Sequence, residues 1–187
     1  MTTSTKSTSP PPVSELESGP ARDRATYVAA VFVRVVVALL WLDNLDWKKP
    51  PDFGQNNNAG LYEFTADAVK YPVFSPFSSL VEHVVLPHFT LFAWGVLIVE
   101  ICLGTFLLLG LATRFWAVVG IGQALTIYLS IGATPGEWKW SYFMLIAALV
   151  AVLGLAAGRV WGLDSVLRRR IGADPSGRVA RLYLRIS

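Results

Sequence analysis

The chain has 187 residues, 53% of them hydrophobic and 16% charged, with a formal net charge of +3. The charges gather at the ends and in one loop. This leaves apolar runs that lack the alternation of a soluble helix or strand, and it places the basic residues where membrane topology puts them, which excludes a soluble domain and a nucleic-acid binder. A single cysteine, Cys102, excludes an internal disulfide and a cysteine-rich metal site.

Residues 1–25 are rich in Ser, Thr and Pro and are expected to form a disordered tail. The first apolar run, Thr26–Leu42, has neither a short basic start nor a convincing small-x-small cleavage site, so it reads as a signal anchor. Three more runs follow: Leu91–Leu111, Phe115–Ile131 and Ser141–Ala157. At about 1.5 Å of rise per residue, each approaches the thickness of a bilayer core. Lipid requires every backbone polar group to be paired internally, which a helix achieves alone. The expected fold is therefore all-α: an integral membrane four-helix bundle over residues 26–167, followed by a basic tail over 168–187.

The segment from Asp43 to about Thr90 is too long for a plain connector, so it is expected to carry one or two short interfacial helices. Phe77, Leu80, Val81, Val84 and Val85 follow helical spacing, with Pro76 placed to start that helix and Pro87 to end it. Leu61, Phe64, Ala68 and Tyr71 suggest a shorter helix before it.

Lysine and arginine set the orientation. Lys6, Arg22, Arg24, Arg114, Arg159 and the arginines from Arg168 to Arg185 fall on one side; Lys48, Lys49, Lys70 and Lys139 fall on the other. The positive-inside rule then puts both termini in the cytoplasm, in a multi-pass protein of the cell membrane. Trp41, Trp47, Trp94, Trp138 and Trp140 near the outer ends, with Trp116 and Trp161 near the inner ends, read as interfacial belts. The arginine-rich tail suits anionic lipid headgroups.

Polar side chains inside the spans are the candidate site. Arg34, Glu100 and Gln123 fall near the middle of the first three runs, where charge is costly and faces the bundle interior or a wet cavity. Pairing Arg34 with Glu100, with Gln123 as a hydrogen-bond partner, lowers that cost, and Gly104 and Gly120 would let the helices approach. Such a group either fixes helix register or does chemistry, with Glu100 handling protons near a quinone headgroup. At the outer face, Lys48 and Lys49 in the LWLDNLDWKKPPDFG segment could meet a small anion and Trp41 or Trp47 a ring, with Lys139 in EWKWSY on the same side. His83 and His88 lie outside the spans, so neither can face a haem in the bundle. Glycine-rich nucleotide motifs are absent. No haem, flavin or metal is therefore expected in this chain.

Several of these segments together resemble the DoxX/DoxD membrane family, most closely its DoxD branch. They are the DNLDWKKPP exit at Asp43–Pro51, VLPHF at Val85–Phe89, VEICLGTFLLLGLATR at Val99–Arg114, EWKWSY, and GRVWGLD at Gly158–Asp164. Glu100, Gly104, Gly110 and Arg114 fit the family's Glu-x-x-x-Gly-x-x-Leu-x-x-Gly-x-x-x-Arg pattern. The resemblance implies a four-helix subunit of a thiosulfate:quinone oxidoreductase, which couples thiosulfate oxidation to quinone reduction in the respiratory chain with a separate DoxA-like subunit. It carries over no catalytic residue; Glu100 and Arg34 are the candidates. The alternative is a non-catalytic anchor or assembly subunit of a respiratory or redox-stress complex. A transporter would need a homo-oligomer to build a pathway from four spans.

Overall fold

The computed structural model describes residues 20–172 and 177–187. The expected tail over 1–25 lies outside the described residues as far as residue 19. From Pro20 the chain is already helical.

Helix α1 runs from Pro20 to Asp43. In the following loop, α2 spans Gly60–Lys70 and α3 spans Ser75–Leu80. A π-helical turn, Val81–Val85, and a 3₁₀ turn, Leu86–His88, then lead into α4, Phe89–Leu109. Helices α5 (Thr113–Ile131) and α6 (Lys139–Gly154) complete the bundle. Beyond it lie α7, Leu163–Gly172, and α8, Arg178–Ile186. The region read as a basic tail is thus largely helical.

Among the described residues, three helical stretches are long and apolar enough to cross a membrane: Arg24–Asp43, Ser75–Leu109 and Thr113–Ile131. The shorter apolar α6 packs with them as the fourth. Helix α1 packs chiefly on α4, and α5 on α6. Contacts of α1 with α6 and of α4 with α5 close the bundle.

Pro87 does not end the amphipathic helix. It occupies the start of the 3₁₀ turn, where a missing N–H breaks little, so the helical path continues from Ser75 to Leu109. The fourth span stops at Gly154, not Ala157, because Ala156 turns into the left-handed region.

The buried face of α1 is Ala30, Arg34, Val37, Ala38 and Trp41, at helical spacing. On α4 it includes Leu97, Glu100, Leu103, Gly104 and Leu107. Gly104 lets α1 come close: a Cβ there would lie 2.7 Å from Leu42 Cγ and 3.2 Å from the Ala38 carbonyl oxygen. Gly120 does the same between Leu103 of α4 and Leu149 of α6.

The end of the bundle that carries the arginines is closed by polar contacts. Asp164 accepts hydrogen bonds from the backbone N–H of Ala112 at 2.7 Å and Thr113 at 2.9 Å, capping α5, and Tyr183 donates its hydroxyl to the same carboxylate. Gly158 fits here because a Cβ would overlap Thr113 Oγ1 and the Asp164 carboxylate. Asp164→Ala strands both N–H groups at a buried site and should destabilise the protein by about 1–3 kcal/mol. Thermal unfolding in detergent measures this, with Tyr183→Phe expected to cost less.

Candidate functional site

Arg34 and Glu100 do not pair. Each side chain in a helix leans toward its own helix's N-terminus. Helix α1 starts at the arginine-rich end and α4 at the loop end, so the two side chains diverge. Arg34 donates to three carbonyls beyond α6: Ala157 at 2.7 Å, Val160 at 3.2 Å and Trp161 at 3.3 Å. Gly110 (φ +66°) and Gly162 press on the guanidinium, where a Cβ on either would lie within 2.8 Å of Nη1. This is a structural clamp, and Arg34 does not line the cavity described below.

Glu100 takes its cation from the loop. Lys48 Nζ lies 2.7 Å from Glu100 Oε2, with side-chain exposures of 2% and 0%, so the pair is sealed from solvent. The ammonium also donates to the Asn44 carbonyl at 2.8 Å and sits 4.3 Å from the centre of the Trp47 ring. Gln123 of α5 donates to the other Glu100 oxygen at 3.3 Å. The loop holds Lys48 in place through apolar contacts. Trp47 meets Phe64 edge to face, and its indole N–H donates to Asn44 Oδ1. Phe53 packs with Phe89, Ala93 and Leu97 at the top of α4.

This group borders a cavity of about 840 Å3 at the loop end, a size that suits a small organic ligand. Phe77, Leu80, Val81 and Val85 of the α3 segment line one side; Phe92, Val96, Ile127 and Leu145 of the bundle line others. Lys48, Glu100 and Gln123 lie at its polar margin, and Glu137 and Tyr142, joined by a hydrogen bond, are a second polar pair in its wall. Gln123 is half-buried, the most accessible member of the first group.

Of the residues picked from sequence, the structure gathers Glu100, Gln123, Trp47 and Lys48 around this space. It does not bring Arg34, Lys49 or Lys139 there. Lys49 is exposed and pairs with Asp46 at 3.3 Å, and Lys139 is exposed at the start of α6. Trp41, read from sequence both as a belt residue and as a ring contact at the outer face, joins the residues around the cavity. It is no interfacial anchor but is 2% exposed within the bundle, lining the cavity. Its spacing of seven from Arg34, on the same helix face, was the available signal. His83 and His88 are exposed, each with Nδ1 against a carbonyl four residues earlier. No cluster of His, Cys, Asp or Glu that could hold a metal occurs among the described residues.

Fold and site together define a multi-pass membrane protein with a largely apolar cavity beside a buried, charge-neutral ion pair. The chain belongs to the DoxD family: the family model, described as TQO small subunit DoxD, matches residues 30–180. No solved structure matches it.

The family's pattern is now legible as structure: Glu100 is the buried acid, Gly104 the α1 contact and Gly110 the seat of Arg34. Breaking the ion pair from one side leaves an uncompensated buried charge. Lys48→Met or Glu100→Leu alone should each destabilise by about 3–5 kcal/mol, and the double variant should recover most of it. A double-mutant cycle on detergent melts measures the coupling.

Proposed function

We propose that this chain is the quinone-binding membrane subunit of a thiosulfate:quinone oxidoreductase, with a separate DoxA-like subunit carrying the sulfur chemistry. The observation that carries this reading is the large apolar cavity whose one lining cation, Lys48, is spent on Glu100 and whose other charged lining, Asp43 and Glu137, is acidic. A thiosulfate dianion needs excess positive charge. Lys48 is already neutralised by Glu100, and Lys49 faces away. A neutral ring with an apolar tail suits the space, and the apolar side chains of α3 and α4 suit the tail. Family membership supports the link to the enzyme.

In this scheme two thiosulfates join through a new S–S bond to give tetrathionate, releasing two electrons at the partner. Those electrons and two protons convert quinone to quinol in the cavity. Glu100, next to Gln123, is the candidate for handling the protons. By the positive-inside rule the loop end faces away from the cytoplasm, so sulfur oxidation would take place on that side of the cell membrane.

A second reading, a non-catalytic anchor, is favoured by one observation: Glu100 and Lys48 are both sealed. The two readings separate on a variant that fills the cavity without touching the pair. In the complex purified with its native partners, thiosulfate should reduce a soluble quinone. Val96→Trp should cut that rate at least tenfold with assembly intact. Undiminished turnover in a filled cavity would favour the anchor, and a purified complex that reduces no quinone would end the redox reading.

A further inference from the structure

The donors that line the cavity are almost all committed to the protein itself. Lys48 is held by Glu100 and Asn44, and the Trp47 indole N–H by Asn44. Thr126 and Ser130 donate to the carbonyls of Gly122 and Thr126, one turn back on α5. Tyr142 donates to Glu137, and Ser141 to the Trp138 carbonyl.

Trp41 is different. Its ring is 2% exposed and its Nε1 has no hydrogen-bond partner. A buried indole N–H normally finds an acceptor, because leaving it unpaired forfeits the bond it would make with water. Other buried unpaired atoms among the described residues have local explanations. Arg34 Nε belongs to a guanidinium bonded through its other nitrogens, Thr113 Oγ1 is packed against Gly158 outside the cavity, and Glu100 Oε2 lies against the Lys48 ammonium. Trp41 alone of these combines a free donor with a place in the cavity wall.

We propose that the Trp41 indole N–H is the cavity's ligand donor, selecting a neutral ring compound that presents a carbonyl oxygen to it. The selection follows from the group itself. An indole N–H can only donate, so it rewards an acceptor and gives nothing to an apolar ring. The cavity's lysine is neutralised by Glu100 and its other charged side chains, Asp43 and Glu137, are acidic, so a neutral acceptor is preferred over an anionic one. The proposal rests on the quinone reading of the cavity and adds the atom that would recognise the ligand.

The test uses the full chain in detergent, labelled with 15N at the tryptophan indoles and titrated with a short-tailed benzoquinone. The Trp41 N–H resonance should move on binding. Trp41→Phe should bind the quinone about tenfold more weakly, the loss of one hydrogen bond. Trp41 is also a core side chain, so the variant should melt somewhat lower without ligand, and the quinone affinity is the readout that packing alone would leave unchanged. A role in packing alone predicts a lower melting temperature with unchanged affinity. Trp41→Phe that binds as tightly as the parent overturns the proposal and leaves the quinone reading standing. A parent protein that binds no quinone removes both. Should Trp41→Phe fail to fold, the Trp41 resonance, assigned by substituting the exposed tryptophans, decides alone: the proposal falls if the ligand leaves it unmoved.

Discussion

A charged side chain inside a membrane bundle must find its partner in the direction its helix makes it point. In this protein that rule separates two residues that lie at similar depth on a simple count. Arg34 leans to the arginine-rich end and is met by the carbonyls of Ala157, Val160 and Trp161. Glu100 leans to the loop end and is met by Lys48. Everything else follows from this divergence. One end is closed by a guanidinium clamp and the Asp164 cap, while the other is closed by a loop that lowers a lysine into the bundle.

The second closure shapes the cavity. Because Lys48 enters from the loop, the loop must be anchored well enough to hold a buried ammonium in register. The contacts of Phe53 with Phe89 and of Trp47 with Phe64 supply that anchoring. Because Lys48 is spent on Glu100, the space beside it has no free cation in its wall, and Asp43 and Glu137 leave that wall acidic. Such a wall is a poor host for a sulfur anion. That assigns the two halves of the reaction to different subunits in the proposed scheme.

How much was legible in the sequence depended on whether local pattern or long-range packing set the outcome. The long apolar runs announced the spans, since lipid leaves the backbone no other solution. Glu100 and Gln123 stood out because polar groups in such runs must be explained. The partner of Glu100 was not legible from depth alone, because depth ignores the lean of the side chain. Lys48 read as a surface cation, since its burial depends on loop contacts between residues distant in sequence. Trp41 read as an anchor or a ring contact at the outer face, because tryptophans near span ends usually lie there. In a helix apolar on every side, hydrophobic period marks no inner face, and Arg34 was the only residue on that face to give it away. The capping of α5 by Asp164 joins residues some fifty positions apart and leaves no local trace.

The short fourth helix carries a consequence for the surrounding lipid. The 16 residues of α6 rise only about 24 Å, less than the roughly 30 Å of a typical hydrocarbon core. Trp138 and Trp140 flank it at one end and Trp161 at the other, all strongly exposed, and their rings extend the apolar belt toward the headgroups. The belt is still shorter on this side than along α1 and α4. A bilayer must thin there or the bundle must tilt, and either deformation makes lipid a poorer neighbour for α6 than another helix would be.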